Sequence, residues 1–220
     1  NIELNNIYVY CIMKVLDLFS GTHSVGKVCE ELGYEVVSLD LTKADYNVDI
    51  MDFDYKSIFK PKEFDIVWAS PPCVTFSVAR LCWLGQKTKY FGDKIITREM
   101  LENDMNECGL PILRKAEEII KYLEPELYFI ENPKTGRMKE FMEHHPHYDV
   151  DYCMYSNWGY KKSTRIWTNK VGFKPLVCNK KCGNMSDGKH NTQLGGQRGK
   201  RTSDVNRSRV PTDLIKQLIL

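Results

Sequence analysis

The sequence predicts an α/β chain: a doubly wound, mostly parallel sheet with a small irregular lobe towards its C-terminal end. Two observations predict it. Short apolar runs alternate with helical stretches through the first two thirds of the 220 residues, and beyond Ser156 the texture turns polar and aperiodic. A third observation bounds the class. No apolar stretch approaches the roughly 18 residues a membrane-spanning helix needs, so no membrane partner is expected.

The elements follow in order. Residues 1–12 lack the basic start and small-residue cleavage site of a signal peptide, and read as an N-terminal extension. Lys14–Phe19, Glu35–Leu41, Phe64–Ala69 and Leu127–Ile130 are short and rich in Val, Ile, Leu or aromatic residues, as buried parallel strands are. Ser24–Leu32 reads as a helix, opened by Ser24 and closed by Gly33. Pro111–Tyr122 is a second helix, with Ile112, Ala116, Ile119 and Ile120 on one face and Pro111 in its first turn. Asn169–Arg209 shows little periodicity. Residues 210–220 regain it, with Leu214, Ile215, Leu218 and Ile219 at core spacing, and should pack back onto the sheet. The division is then a main domain over 13–168, a lobe over 169–209 and a closing helix over 210–220.

Charge is unevenly spread. From Gly159 to Leu220 there are fourteen Lys and Arg against three Asp and Glu, while the rest of the chain carries an acidic surplus. A basic segment on an acidic body is the footprint of a polyanion-binding face. The eight cysteines are scattered, not densely spaced as in a stapled secreted domain, which suits a reducing compartment. A cytoplasmic setting is expected, in a bacterium or a virus-infected cell, although a nucleus would look the same.

Two motifs carry chemistry. Asp17-Leu18-Phe19-Ser20-Gly21-Thr22 follows the first strand and enters a helix, placing backbone N–H groups and a close-approach glycine where open α/β sheets bind ligands. It lacks the Lys-Ser/Thr of a phosphate-binding loop. Asp40, at the end of the second strand, is placed to accept from ribose hydroxyls, and Asp49-Ile50 could hold an adenine edge. The second motif is Ser70-Pro71-Pro72-Cys73-Val74-Thr75-Phe76-Ser77, where two prolines stiffen the backbone before a thiol at a strand mouth. A helix N-terminus nearby would favour the thiolate.

Together, in this order and separation, Asp17–Gly21 and Pro71–Ser77 resemble the first and catalytic motifs of the cytosine-C5 DNA methyltransferase family, in the style of its short phage and large-virus members. Phe129-Ile130-Glu131-Asn132-Pro133 resembles its Glu-Asn-Val motif, and Val210-Pro211 its closing motif. The resemblance implies a Rossmann-like fold that binds S-adenosyl-L-methionine, with Cys73 as nucleophile and Glu131 holding the base through N3 and its amine. It assigns Phe19 to the cofactor adenine and Asp40 to its ribose, with Ser20, Gly21, Thr22 and Pro71 beside them. The substrate implied is double-stranded DNA with the target base flipped out, and the enzyme a monomer. RNA stays open, since tRNA C5 methylation uses the same fold and thiol. A catalytically silent nucleic-acid-binding homologue is the reading from another class. Ser70-Pro71-Pro72 also opens the amino-methyltransferase motif, but Cys73 stands where that motif has an aromatic residue.

The pattern departs in two places. The family's arginine motif corresponds to Trp158–Trp167, where Arg165 alone matches and is expected to be catalytic, with Lys161 and Lys162 as phosphate contacts. The recognition lobe is short, so few base contacts and a short or relaxed target are expected. Ser77, Arg198, Lys200, Arg201, Arg207 and Arg209 complete the expected nucleic-acid-binding set. Cys178, Cys182 and His190 have tolerable zinc spacing, but no fourth ligand is evident and no metal is expected; His144-His145-Pro146-His147 reads as a solvated turn.

Overall fold

The computed structural model describes residues 12–194 and 207–220. Strands β1 (Lys14–Leu18), β2 (Glu35–Asp40), β3 (Tyr46–Asn47), β4 (Ile66–Ala69), β5 (Leu127–Pro133), β6 (His147–Asp151) and β7 (Ser163–Thr168) form one sheet in the order β3-β2-β1-β4-β5-β7-β6. The strands from β3 to β5 run parallel, and β7 is antiparallel to both β5 and β6. The expected doubly wound sheet is present. Strand β7 pairs antiparallel with β6 because residues 152–162, which open with a turn at Tyr152–Met154, fall short of the dozen or more that a parallel crossover needs.

The central strands are apolar on both faces because both are covered. In β1 and β4, Leu16, Leu18, Val67 and Ala69 face one core, while Val15, Ile66 and Trp68 face the other. Helix α4 (Leu110–Leu123) covers the first face through Leu113, Ala116, Ile119 and Leu123. Helices α1 (Ser24–Glu31) and α5 (Thr212–Ile219) cover the second. Leu214, Ile215 and Leu218 are fully buried there, each worth roughly 1.5–3 kcal/mol of transfer free energy.

Helix α2 is a single turn at Tyr55–Ile58. The helix expected from residue 111 begins earlier. Helix α3 (Arg98–Asp104), capped by the Thr97 hydroxyl accepting from the Met100 N–H at 3.2 Å, runs through a π turn at Met105–Gly109 into α4. Gly109 in that turn lies against Thr75, and a Cβ there would fall 2.3 Å from Thr75 Oγ1. Only a glycine lets the turn approach the segment after Cys73 so closely. Past β7 the chain lies along the body and forms a small hairpin of β8 (Met185–Ser186) and β9 (Lys189–His190). His144 is exposed and His145 lies 3.1 Å from Glu117 in the turn before β6, while His147, expected in the same turn, is exposed at the first position of the strand.

Candidate active site

The carboxyl ends of β1, β4 and β5 open into one cavity of about 1600 Å³.

The β4 end supplies the thiol. Ser70 is tied to its neighbour strand, its N–H donating to the Leu18 carbonyl at 3.2 Å, and its hydroxyl accepts from the Trp68 indole at 3.0 Å. Pro71 and Pro72 then carry the chain to Cys73 on the cavity wall. Cys73 is open to solvent through the cavity mouth, yet the surrounding walls push its thiol above the ordinary value, and the Glu131 carboxylate pushes further in the same direction. Lys162 and Arg207 oppose the rise without cancelling it. No α-helix begins at the thiol; a 3-10 turn at Val78–Trp83 follows it, so the expected helix-terminal activation is absent. Arg80 anchors this turn, reaching the Thr75 carbonyl at 3.2 Å and Asp104 at 2.7 Å, with its guanidinium packed among Trp83, Tyr90 and Phe91.

The β5 end supplies the carboxylate. Glu131 is buried, and its Oε1 accepts from the Tyr152 hydroxyl at 2.8 Å and from Lys162 Nζ at 3.1 Å. Two donors on one oxygen fix the carboxylate's orientation. Asn132 joins the two strand ends, its Nδ2 donating to the Pro71 carbonyl at 2.9 Å.

The β1 end supplies the cofactor-type turn. Phe19, Gly21 and His23 all have φ near +50 to +62°. At Gly21 that backbone angle is the reason for glycine, since a Cβ would meet only the Phe19 carbonyl at 3.7 Å. The amides of this turn point away from the cavity: Phe19 and Ser20 N–H donate to the Leu39 carbonyl, and Gly21 N–H donates to Asp40 Oδ2 at 2.9 Å. Asp17, at the turn's base, is fully buried, and burial lifts its carboxyl to about 7. Its Oδ2 faces no hydrogen-bond partner among the described residues, although the group lines the cavity. A buried carboxylate that the Gly26 N–H satisfies only in part, in one cavity with the ring of Phe19, fits a ligand that carries both positive charge and an aromatic base, as S-adenosylmethionine does.

Of the residues singled out in the sequence, Asp17, Phe19, Ser20, Gly21, Thr22, Pro71, Cys73, Ser77, Glu131, Lys161, Lys162 and Arg207 all line this cavity. Asp40 does not; it staples the turn. Asp49 is exposed and accepts from the Met51 N–H, and Ile50 is buried in the apolar core. Arg165 also lies outside, in a two-pronged ion pair with Asp149 at 2.7 and 3.0 Å. The wall is reached only where the chain enters β7, through Lys162 and Ser163, whereas Arg165 lies further along the strand beside Asp149 of β6. Arg209 stacks on Trp158, 4.4 Å from the ring. Arg198, Lys200 and Arg201 lie outside the described residues. Sequence reasoning missed Tyr152 and Arg80, which carry no motif, and gave Lys162 a phosphate when its partner is Glu131.

A seven-stranded sheet with a reversed β7, a glycine turn after β1 and reactive groups at the ends of β4 and β5 is the Rossmann-like fold of S-adenosylmethionine-dependent methyltransferases. Solved structures similar to the chain include a SAM-dependent methyltransferase from Archaeoglobus fulgidus (16% identity, TM-score 0.34, 56% of this chain and 46% of that one). Another is the methyltransferase EhMeth from Entamoeba histolytica (13% identity, TM-score 0.42, 76% of this chain and 56% of that one). The chain thus spans about half the length of each. No protein-family model matches. Sequence similarity is more decisive: over 218 residues the chain is 46% identical to a probable DNA (cytosine-5)-methyltransferase of Frog virus 3 (isolate Goorha), covering 94% of this chain and 99% of that protein. The chain belongs to the DNA (cytosine-5)-methyltransferase family.

Proposed function

We propose that the chain transfers a methyl group from S-adenosylmethionine to carbon 5 of a flipped cytosine in double-stranded DNA, through a covalent adduct at Cys73. The observation that carries this reading is that Cys73 and Glu131, from neighbouring strand ends, line one cavity together with the Phe19–Thr22 turn at the end of adjoining β1. The cofactor supplies an electrophilic methyl group on a sulfonium. Carbon 5 of cytosine is a poor nucleophile, and addition of the Cys73 thiolate to carbon 6 makes it enamine-like. Glu131, held by Tyr152 and Lys162, faces the charge that develops around N3 and the amine as that S–C bond forms. After transfer a base takes the C5 proton, the S–C6 bond breaks and the thiolate returns. Asp17 and Phe19 serve the cofactor side. The thiol has to lose its proton before it attacks, because burial and the Glu131 carboxylate favour the protonated form.

Reach to a ring face requires the base to leave the helix stack. Lys161 and Arg207 stand on the cavity wall to meet the backbone of the distorted strand, and residues 169–209 read the neighbouring bases sparingly. A short or relaxed target follows.

Labelled S-adenosylmethionine with DNA containing 5-fluorocytosine provides the test. Fluorine cannot leave as a proton does, so a denaturation-resistant protein–DNA adduct should form and map to Cys73. Absence of the adduct on DNA and RNA alike, with methylation persisting in Cys73→Ser, overturns the proposal. An adduct on RNA alone moves the substrate to RNA.

A further inference from the structure

A cluster apart from the cavity brings together Cys153, Cys178, Cys182 and His190, whose ligand atoms all lie within 4.8 Å of one another. Cys153 comes from the turn after β6, Cys178 and Cys182 from the chain before the small hairpin, and His190 from β9. Cys178 Sγ is 3.6 Å from Cys182 Sγ and 3.7 Å from His190 Nε2, and Cys182 Sγ is 3.4 Å from the same nitrogen. A disulfide needs about 2.05 Å between sulfurs, so the pair is not bonded. Tetrahedral ligands held at about 2.0–2.3 Å from a common centre stand roughly 3.3–3.8 Å apart, which is the spacing among Cys178, Cys182 and His190, and Cys153 Sγ lies within 4.8 Å of all three.

We propose that these four residues bind one structural zinc ion. Three thiols and an imidazole form the closed Cys3His set of such sites, and cysteine and histidine together select zinc over hard cations. The surroundings match an anion-rich centre. The Lys180 N–H donates to Cys178 Sγ at 3.4 Å, and the Cys178 N–H donates to Asp151 Oδ2 at 2.8 Å. Buried Asn184 holds the loop from the other side: Nδ2 donates to the carbonyls of Cys153 and Ser156, and Oδ1 accepts from the Gly159 N–H.

The lobe has a reason to need a metal. Val171, Leu176 and Val177 are exposed, and the two strands of its hairpin have two residues each, so little apolar surface is buried. Zinc would replace a core, fastening the hairpin to the end of β6. Asp151 extends the fastening to the active-site wall, since it also accepts from Lys161 Nζ at 3.0 Å and from the Ser163 hydroxyl. The site stands independently of the Cys73 chemistry.

The test is metal analysis of the full chain, purified without chelators and with reduced thiols, followed by exchange with cobalt(II). One zinc per chain is expected. The cobalt form should show thiolate charge-transfer and tetrahedral ligand-field bands, and a mercurial should release the metal after three thiol equivalents, counted once the exposed Cys73, Cys82 and Cys108 have reacted. Cys153→Ser should weaken cobalt binding by at least about tenfold, the loss that even outer-shell partners produce. Metal-free protein that takes up neither ion overturns the site, as does an octahedral spectrum or a Cys178–Cys182 disulfide in reduced protein. Release after two thiol equivalents removes Cys153 from it. The mercurial titration uses unaltered protein and so does not depend on how the variant folds.

Discussion

At the residue scale the site is governed by charges held out of water. Glu131→Gln should act in opposite directions on two readouts. Removing the carboxylate removes one of the two influences that hold the Cys73 thiol up, so iodoacetamide should alkylate Cys73 faster at neutral pH, while methyl transfer falls by 10²-fold or more, roughly the loss seen when an oxyanion-type contact is deleted. Lys162→Met leaves Glu131 buried with Tyr152 alone and should destabilise the fold by about 3–5 kcal/mol, read by chemical denaturation. Asp17 gives a pH signature. Its carboxyl titrates at about 7 when folded and near its ordinary value of 3.8 when unfolded, so the unfolded chain ionises first. Its contribution to stability is complete below about 4, declines as pH rises to about 7, and is level beyond, a span on the order of 4 kcal/mol. Asp17→Asn should flatten that slope in denaturation series at pH 5 and 8. S-adenosylmethionine affinity should rise with pH through about 7, because the ionised carboxylate favours a cation; calorimetry over that range checks it.

At the scale of elements, the legible parts were those with periodicity. The β1, β2, β4 and β5 runs and the helices α1, α4 and α5 show in sequence because burial on two faces or one stripe leaves a pattern. Strands β6 and β7 do not, since their polar residues are paired with each other: Asp149 with Arg165, Asp151 with Ser163. The same pairing holds Arg165, which its motif marked as catalytic, against an aspartate of the neighbouring strand and outside the cavity. Cys73 and Glu131 were legible as motifs at strand ends, whereas Tyr152 and Cys153 lie far from their partners in sequence and no local spacing announces them. The π turn was equally invisible, and it supports a prediction. Gly109→Ala would force Thr75 to move and should cost about 1–3 kcal/mol by denaturation, with a loss of alkylation or methylation rate at Cys73.

Over the whole molecule, charge is segregated, with the basic surplus in residues 159–220 and the acidic surplus elsewhere. DNA affinity should therefore fall linearly with salt on a double-logarithmic plot, and the slope divided by about 0.9 counts the phosphates neutralised. A slope near zero in fluorescence anisotropy would leave the basic segment without a binding role. Chelation should sharpen the same picture: losing the zinc proposed above should lower the melting temperature and weaken DNA binding together, because Asp151 links the hairpin to Lys161.

One bond spans nearly the entire chain. The Val210 N–H donates to Ser24 Oγ at 3.1 Å, 186 positions apart, and α5 lies beside α1 in the same core, so the helix that follows the cofactor-type turn is covered by residues far later in the chain. During synthesis, therefore, a ribosome that has delivered the thiol and its carboxylate has not yet delivered the clasp. The nascent chain holds every reactive group while the face of α1 remains uncovered and open to chaperones. Folding of the cofactor end should therefore wait for helix α5, and truncation before Val210 should yield protein that is made in full measure yet captured by chaperones before it can bind cofactor.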